Sequence, residues 1–319
     1  MSFTEIFILL VPVFGLLGLG WLAATLKLMP VAVSDALGTF AATIALPALL
    51  FHALAKAHFP DISPWPFWIA YFTGVVITWG LGDFCYRRLF GGEARIGIVA
   101  GVSSAFSNTA MLGIPIVFSV YGKAGDVPLL LLISVHLPIM TVAATVLFER
   151  IEMAQSGRRH FNVAHLAKRI IVNIVKNPIV IGIFAGAVVR ALGISIEGPV
   201  EEIVVRLSDT AVPCALFALG MSLKRYGLRE HIAASGVIVV LKLVVMPAIV
   251  FVMSRYVMTM PPIWSAVATV SAASATGVNA YLIANRAGVG LGLASNAITV
   301  TSAAAAITIG IWLGIIGIP

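Results

Sequence analysis

Long apolar runs alternate along the chain with short stretches of charge, glycine and proline, and the runs have the length of bilayer-crossing helices. Ten spans are predicted. Spans 1 to 5 cover about Phe3–Thr25, Asp35–Ala55, Trp65–Tyr86, Ile96–Tyr121 and Val127–Phe148. A charged loop, Glu149–Lys176, follows. Spans 6 to 10 cover about Pro178–Leu192, Val200–Leu223, Ile232–Ser254, Ile263–Ala284 and Leu291–Ile316. Span 4 departs from the pattern, because Ser107, Asn108, Thr109, Gly113 and Pro115 collect at its centre. Lipid offers no partner for a freed backbone N–H or C=O, so a broken helix belongs inside protein or beside a cavity. We therefore read span 4 as half of a substrate site.

The loop divides the spans five and five, which invites a search for a repeat. At an offset of 166 residues Pro12 falls on Pro178, Gly20 on Gly186 and Gly122 on Gly288. Ala45-Leu46-Pro47-Ala48-Leu49-Leu50-Phe51 falls on Ala211-Val212-Pro213-Cys214-Ala215-Leu216-Phe217. An odd number of spans per copy turns the second copy upside down, the pattern of secondary transporters. The offset also predicts a partner for span 4 in span 9, where Ser274, Thr276, Gly277 and Asn279 gather at mid-span. Two broken helices meeting there present free N–H groups and positive dipole ends, which suit an anion. The expected fold is thus all-α and polytopic, with ten transmembrane helices in two inverted five-helix repeats and broken spans 4 and 9 crossed. Its units are 1–150, the first repeat; 151–176, the loop; and 177–319, the second repeat.

The composition agrees with this reading: 60% hydrophobic and 10% charged residues over 319 positions, with mean hydropathy +1.06. A soluble domain is about 25% charged. The net charge of +7 reflects basic loops and not nucleic-acid binding, because Lys and Arg are unevenly shared between the two sides. Alternate loops collect 14 on one side against 4 on the other. By the positive-inside rule the central loop is cytoplasmic and both termini are outside a bacterial inner membrane. The first run lacks a basic leader and a cleavage site, so it reads as a retained helix. Cys85 and Cys214 lie in apolar runs and read as packing residues. No metal-ligand spacing and no nucleotide-binding loop occurs, so no cofactor or metal is expected.

Asn108 and Asn279 are the leading substrate-binding candidates, because an amide at mid-bilayer is costly without a partner. Thr109, Ser274 and Thr276 are candidates to cap the half-helices or touch substrate. Gly113 and Gly277 serve as breakers, packing residues or site lining. Ser107, Pro115, Pro47 and Pro213 are candidate breaks or hinges. Ionisable groups inside spans are functional candidates by default. Lys242 supplies positive charge near a carboxylate or stands in for a bound cation, unless it pairs with an acid such as Asp209. Asp209 faces the substrate path or caps a local break. His136 reads first as a hydrogen-bonded packing residue, with proton coupling as the alternative. Asp83 reads as a surface partner of Arg87.

Asn108-Thr109-x-Met111-x-Gly113-Ile114-Pro115, Leu46-Pro47-Ala48-Leu49-Leu50-Phe51, Asn177-Pro178, the Pro213–Gly220 stretch and Asn279-Ala280-Tyr281-Leu282-Ile283-Ala284 resemble motifs of the auxin efflux carrier family. That family includes plant PIN-type carriers and bacterial organic-acid carriers of the malonate-transporter type. The resemblance implies a scaffold of spans 1, 2, 6 and 7 and a transport domain of spans 3–5 and 8–10. It also implies elevator-type movement, a homodimer joined through the scaffold, and a substrate carboxylate at Asn108. Plant PIN-type members carry a proline at each crossing; the aligned positions here are Ser107 and Ala275.

The expected function is a gradient- or potential-driven carrier of a small organic anion, such as malonate or an auxin-like acid, with proton or sodium coupling open. The alternatives are a sodium-coupled symporter of the bile-acid type and, in another class, a membrane sensor. An enzyme is not expected, since acid-rich motifs for metal or phosphate chemistry are missing from the spans.

Overall fold

The computed structural model describes residues 3–57, 62–156, 168, 171–172, 174–226 and 232–317. All regular elements among the described residues are helical. Seven are long and apolar enough to cross a membrane, and three shorter apolar helices, Ala94–Ala105, Pro178–Ala191 and Pro262–Ala273, accompany them. Two of the short ones are half-spans. At 1.5 Å per residue a 12-residue helix reaches about 18 Å, short of a ~30 Å hydrocarbon core.

The first group of elements is α1 (Phe3–Thr25), α2 (Val31–Phe40) and α3 (Leu46–Ala55). Next come α4 (Trp65–Phe90), α5 (Ala94–Ala105), α6 (Ile114–Tyr121) and α7 (Asp126–Ser156). The rest are α8 (Pro178–Ala191), α9 (Pro199–Tyr226), α10 (Ile232–Val240), α11 (Met246–Val252), α12 (Pro262–Ala273), α13 (Asn279–Ala287) and α14 (Leu291–Ile316).

Three π-turns interrupt these helices in one pattern. Ala41–Ala45 precedes Pro47, Thr109–Gly113 precedes Pro115, and Leu241–Val245 precedes Pro247. Proline lacks an N–H, and its ring collides with the carbonyl four residues back. Widening the preceding turn relieves that collision, so the helix continues instead of stopping. Pro213 lies inside the uninterrupted α9 and has no such turn.

Close approach at glycine brings α1 onto α9 and α3 onto α8. A Cβ on Gly20 would lie 2.2 Å from the Phe217 carbonyl oxygen, and one on Gly186 would lie 2.6 Å from that of Phe51. Gly20 and Gly186, and Phe51 and Phe217, stand at the 166-residue offset, and each glycine meets the phenylalanine at the other end of it. Elsewhere α4 packs along α5, and α14 touches α1, α5 and α12. One buried cluster runs from Leu10 and Leu46 through Leu112 to Val267 and Ile309. A second joins Phe67, Tyr71, Met140, Met246 and Trp264. The helix crossing lies between them, contributing Ala275 to the first and Phe106 to the second.

Span 5 continues as α7 to Ser156, beyond the expected end at Phe148. Charge ends a lipid-facing segment but does not end a helix, and Glu152 there lies 3.7 Å from Arg95. Span 8 likewise runs on through a fourth π-turn to Val257. Half of the charged loop, with Arg158, Arg159 and Arg169, and Arg229 in a later loop, lie outside the described residues. Asp83 and Arg87 form the expected pair at 2.8 Å.

Candidate functional site

The two polar mid-span stretches are brought together. Ser107 and Thr276 face each other as an antiparallel pair. Two backbone hydrogen bonds flank them, from the Asn108 N–H to the Ala275 carbonyl and from the Gly277 N–H to the Phe106 carbonyl, both 2.8 Å. Each break thereby supplies the partners that the other needs in a dry interior. Ser107, Asn108 and Thr276 are all buried.

Asn108 organises the first break. Its side-chain oxygen accepts the Met111 N–H at 3.2 Å, and its carbonyl accepts from Leu112 and Gly113. Pro115 follows directly on the π-turn, whose widened turn accommodates its ring as the half-helix runs on into α6. The second break opens at Ser274, whose extended ψ of 150° turns the chain out of α12.

The hydroxyls of the second stretch are committed to structure. Ser274 Oγ donates to the Val270 carbonyl at 3.2 Å, and Thr276 Oγ1 donates to the Ser103 carbonyl at 2.8 Å. The Thr276 N–H donates to Thr301 Oγ1 at 2.9 Å. Ser103 and Thr301 thus belong to the crossing, although neither stands out in sequence among many span hydroxyls. The two glycines differ. A Cβ on Gly277 would lie 3.1 Å from Phe106 Cδ1 and 3.2 Å from the Ser107 oxygen, whereas one on Gly113 would meet nothing nearer than 3.6 Å. A methyl group at Gly277 would push its neighbours back by a few tenths of an ångström; one at Gly113 would not. Thr109 is buried at the start of the π-turn.

Lys242 lies behind this ribbon, fully buried. Its ammonium donates to Ser107 Oγ at 2.9 Å and to the Ala272 carbonyl, and lies 3.4 Å from Met246 Sδ. It therefore stands at the C-terminal end of α12, where carbonyls lack helical partners and the dipole is negative. Asp209 is not its partner: that carboxylate is exposed and lines a separate cavity. Among the described residues no carboxylate pairs with Lys242. His136 is buried against Tyr71, Phe72 and Phe106, and neither ring nitrogen meets a hydrogen-bond partner among the described residues. It packs by aromatic contact beside the Ser107 backbone.

Two amides at the crossing keep unused donors, and the Ser103 and Ser271 hydroxyls beside them are also unpartnered among the described residues. The Asn108 amide nitrogen is buried with no partner among the described residues. The start of α13 has no side-chain cap, and Asn279 makes no side-chain hydrogen bond to a described residue. The free amide N–H groups suit a ligand that brings acceptor oxygens.

Two cavities flank this region. One, of about 140 Å³, ends at Asn279 and runs between α7, α8 and α13. The other, of about 1070 Å³, lies between α3, α7 and α9, with His52, Lys56, Lys123, Asp126 and Asp209 on its walls. Beside it Lys56 and His52 both approach Glu201.

A family model described as "Membrane transport protein" matches residues 5–313. A protein of Rhizobium meliloti (strain 1021) named "Putative malonate transporter" is 28% identical over 303 residues, covering 93% of this chain and 92% of that one. The helix breaks, the apolar spans and these similarities agree: this chain belongs to the membrane transport protein family of the auxin efflux carrier type, and it is a membrane transporter and not an enzyme.

Proposed function

We propose that the protein is a secondary carrier for a small organic anion, a carboxylate such as malonate or an auxin-like acid, bound where the two interrupted helices cross. The observation that carries this reading is the Asn108 amide nitrogen, buried and without a partner among the described residues. Leaving such a donor unmet costs about 1–3 kcal/mol, which a bound carboxylate oxygen recovers. The uncapped start of α13 adds backbone donors. Lys242 contributes an uncompensated positive charge one hydrogen bond away through Ser107. The relative's printed name points to a dicarboxylate as one such anion.

The architecture that goes with this function is ten spans in two inverted repeats. The reciprocal glycine contacts, Gly20 on Phe217 and Gly186 on Phe51, support it, because a two-fold relation exchanges the two pairs. Spans 1, 2, 6 and 7 then form the scaffold, joined in a homodimer. The crossing travels with spans 3–5 and 8–10 in an elevator-type movement. The basic end is cytoplasmic in an inner membrane, with both termini outside. A gradient or the membrane potential drives the cycle. An ammonium among the oxygen acceptors of the crossing favours a resident cation over a coupled sodium ion; replacing sodium by potassium in liposome uptake separates the two.

The test is a thermal-shift screen of carboxylates on purified protein, repeated with Asn108→Ala. Stabilisation of the wild type that is lost in the variant is expected. An anion response equal in both proteins refutes the site, and no response to any carboxylate refutes the function.

A further inference from the structure

The 140 Å³ cavity is built by three helix faces, and its polar groups are spaced along one of them. Asn279, Leu282, Ile283 and Arg286 stand at i, i+3, i+4 and i+7 of α13, a single helical stripe. Facing it are Thr141 and Thr145 on α7, one turn apart, and Asn177 at the start of α8. Asn177 spends its side-chain oxygen on the Ile179 and Val180 N–H groups, at 2.9 and 3.4 Å. Its amide nitrogen is the atom left to meet a ligand. Arg286 makes no hydrogen bond or ion pair with a described residue. A volume of about 140 Å³ admits several water-sized groups, enough for a short-chain acid.

We infer that this cavity is a binding site for a short dicarboxylate, with one carboxylate at the Asn279 and Asn177 amides and the second on the Arg286 guanidinium. Seven residues of helix separate Asn279 from Arg286 by about 10 Å. Helical side chains lean toward the N-terminus, so the arginine reaches back over that gap. Its planar fork matches a carboxylate with two parallel N–H donors. The apolar wall from Leu282 and Ile283 packs the short carbon chain between the two charged ends. Asn279 borders both this cavity and the crossing, so the cavity is the approach to the proposed anion site from the basic end. The inference rests on the anion-carrier reading and adds the substrate's second charge, which the crossing itself does not read.

The experiment compares malonate with propionate, which has a similar size and one carboxylate, by calorimetric binding to the purified full chain. In the wild type malonate binds more tightly. In Arg286→Gln malonate binding falls by about tenfold or more, the size of a lost charge-assisted pair, while propionate binding changes little. Arg286→Lys restores part of the preference, because the charge returns without the fork. Arg286 is exposed, so folding survives the change. An unchanged malonate-to-propionate ratio in Arg286→Gln overturns the inference, as does equal binding of both acids by the wild type. Loss of all carboxylate binding in Asn108→Ala beside an unaltered ratio in Arg286→Gln removes this site and leaves the carrier reading standing.

Discussion

Replacing Gly277 by alanine tests whether the crossing is a fixed steric object. The added Cβ would sit 3.1 Å from Phe106 Cδ1, 3.2 Å from the Ser107 oxygen and 3.4 Å from the Ser107 carbonyl carbon. Comfortable carbon contacts are about 3.5–4.0 Å, so the ribbon must open by a few tenths of an ångström. Opening it stretches the two 2.8 Å bonds that join the breaks. Phe106 cannot easily yield, since it is buried and packed edge-on to His136 at 4.9 Å. Overpacking of this kind costs about 1–3 kcal/mol. Gly113→Ala is the matched control. It adds the same methyl group at the other break, but with nearest contacts of 3.6 Å, and alanine favours a helical backbone by up to about 1 kcal/mol. Scanning fluorimetry of the purified variants should show Gly277→Ala unfolding well below the wild type and Gly113→Ala at or slightly above it. Uptake in proteoliposomes should fall with the first and persist with the second. If the two variants move together, the contact geometry of the crossing is wrong.

Asn108→Ala removes the cap on Met111, a loss of about 1 kcal/mol, and also the unmet donor, whose removal offsets that loss. The ligand-free protein should therefore change little in stability, while carboxylate-induced stabilisation in a thermal-shift assay is abolished. Lys242→Met keeps the side-chain volume and removes a charge that has no acidic partner. Buried charges contribute little net stability, so unfolding should change little while anion binding by calorimetry weakens about tenfold or more; equal binding would remove Lys242 from the site. Gly20→Ala and Gly186→Ala each place a methyl group inside a carbonyl contact. Both should lower stability by about 3 kcal/mol, and a large effect at one alone would break the reciprocity between the repeats.

Much of this was legible in the chain. The polar centres of spans 4 and 9 stood out because lipid tolerates such residues only where something satisfies them. The offset then named Ser274–Asn279 as the partner of Asn108, and the two do meet. The roles of the individual polar groups were less legible. Ser274 and Thr276 looked like ligand groups, yet their hydroxyls donate to backbone carbonyls, because a hydroxyl in a helix reaches a carbonyl one turn back or across a close contact. Asp209 was one candidate partner for Lys242 by charge, yet one faces a cavity and the other is sealed behind the crossing. Arg286 entered only as a loop charge, since its place on one stripe with Asn279 matters only once α7 and α8 close the cavity.

The sequence by itself determined that the chain is built of membrane-crossing apolar helices and that two of its apolar stretches carry polar, helix-breaking centres, because hydropathy and backbone satisfaction act locally. The tertiary structure decided which donors remain free. Each hydroxyl, amide and ammonium has several candidate partners along the chain, and only the packing of distant helices selects among them. That selection leaves Asn108, Asn279 and Arg286 unspent while it consumes Ser274 and Thr276.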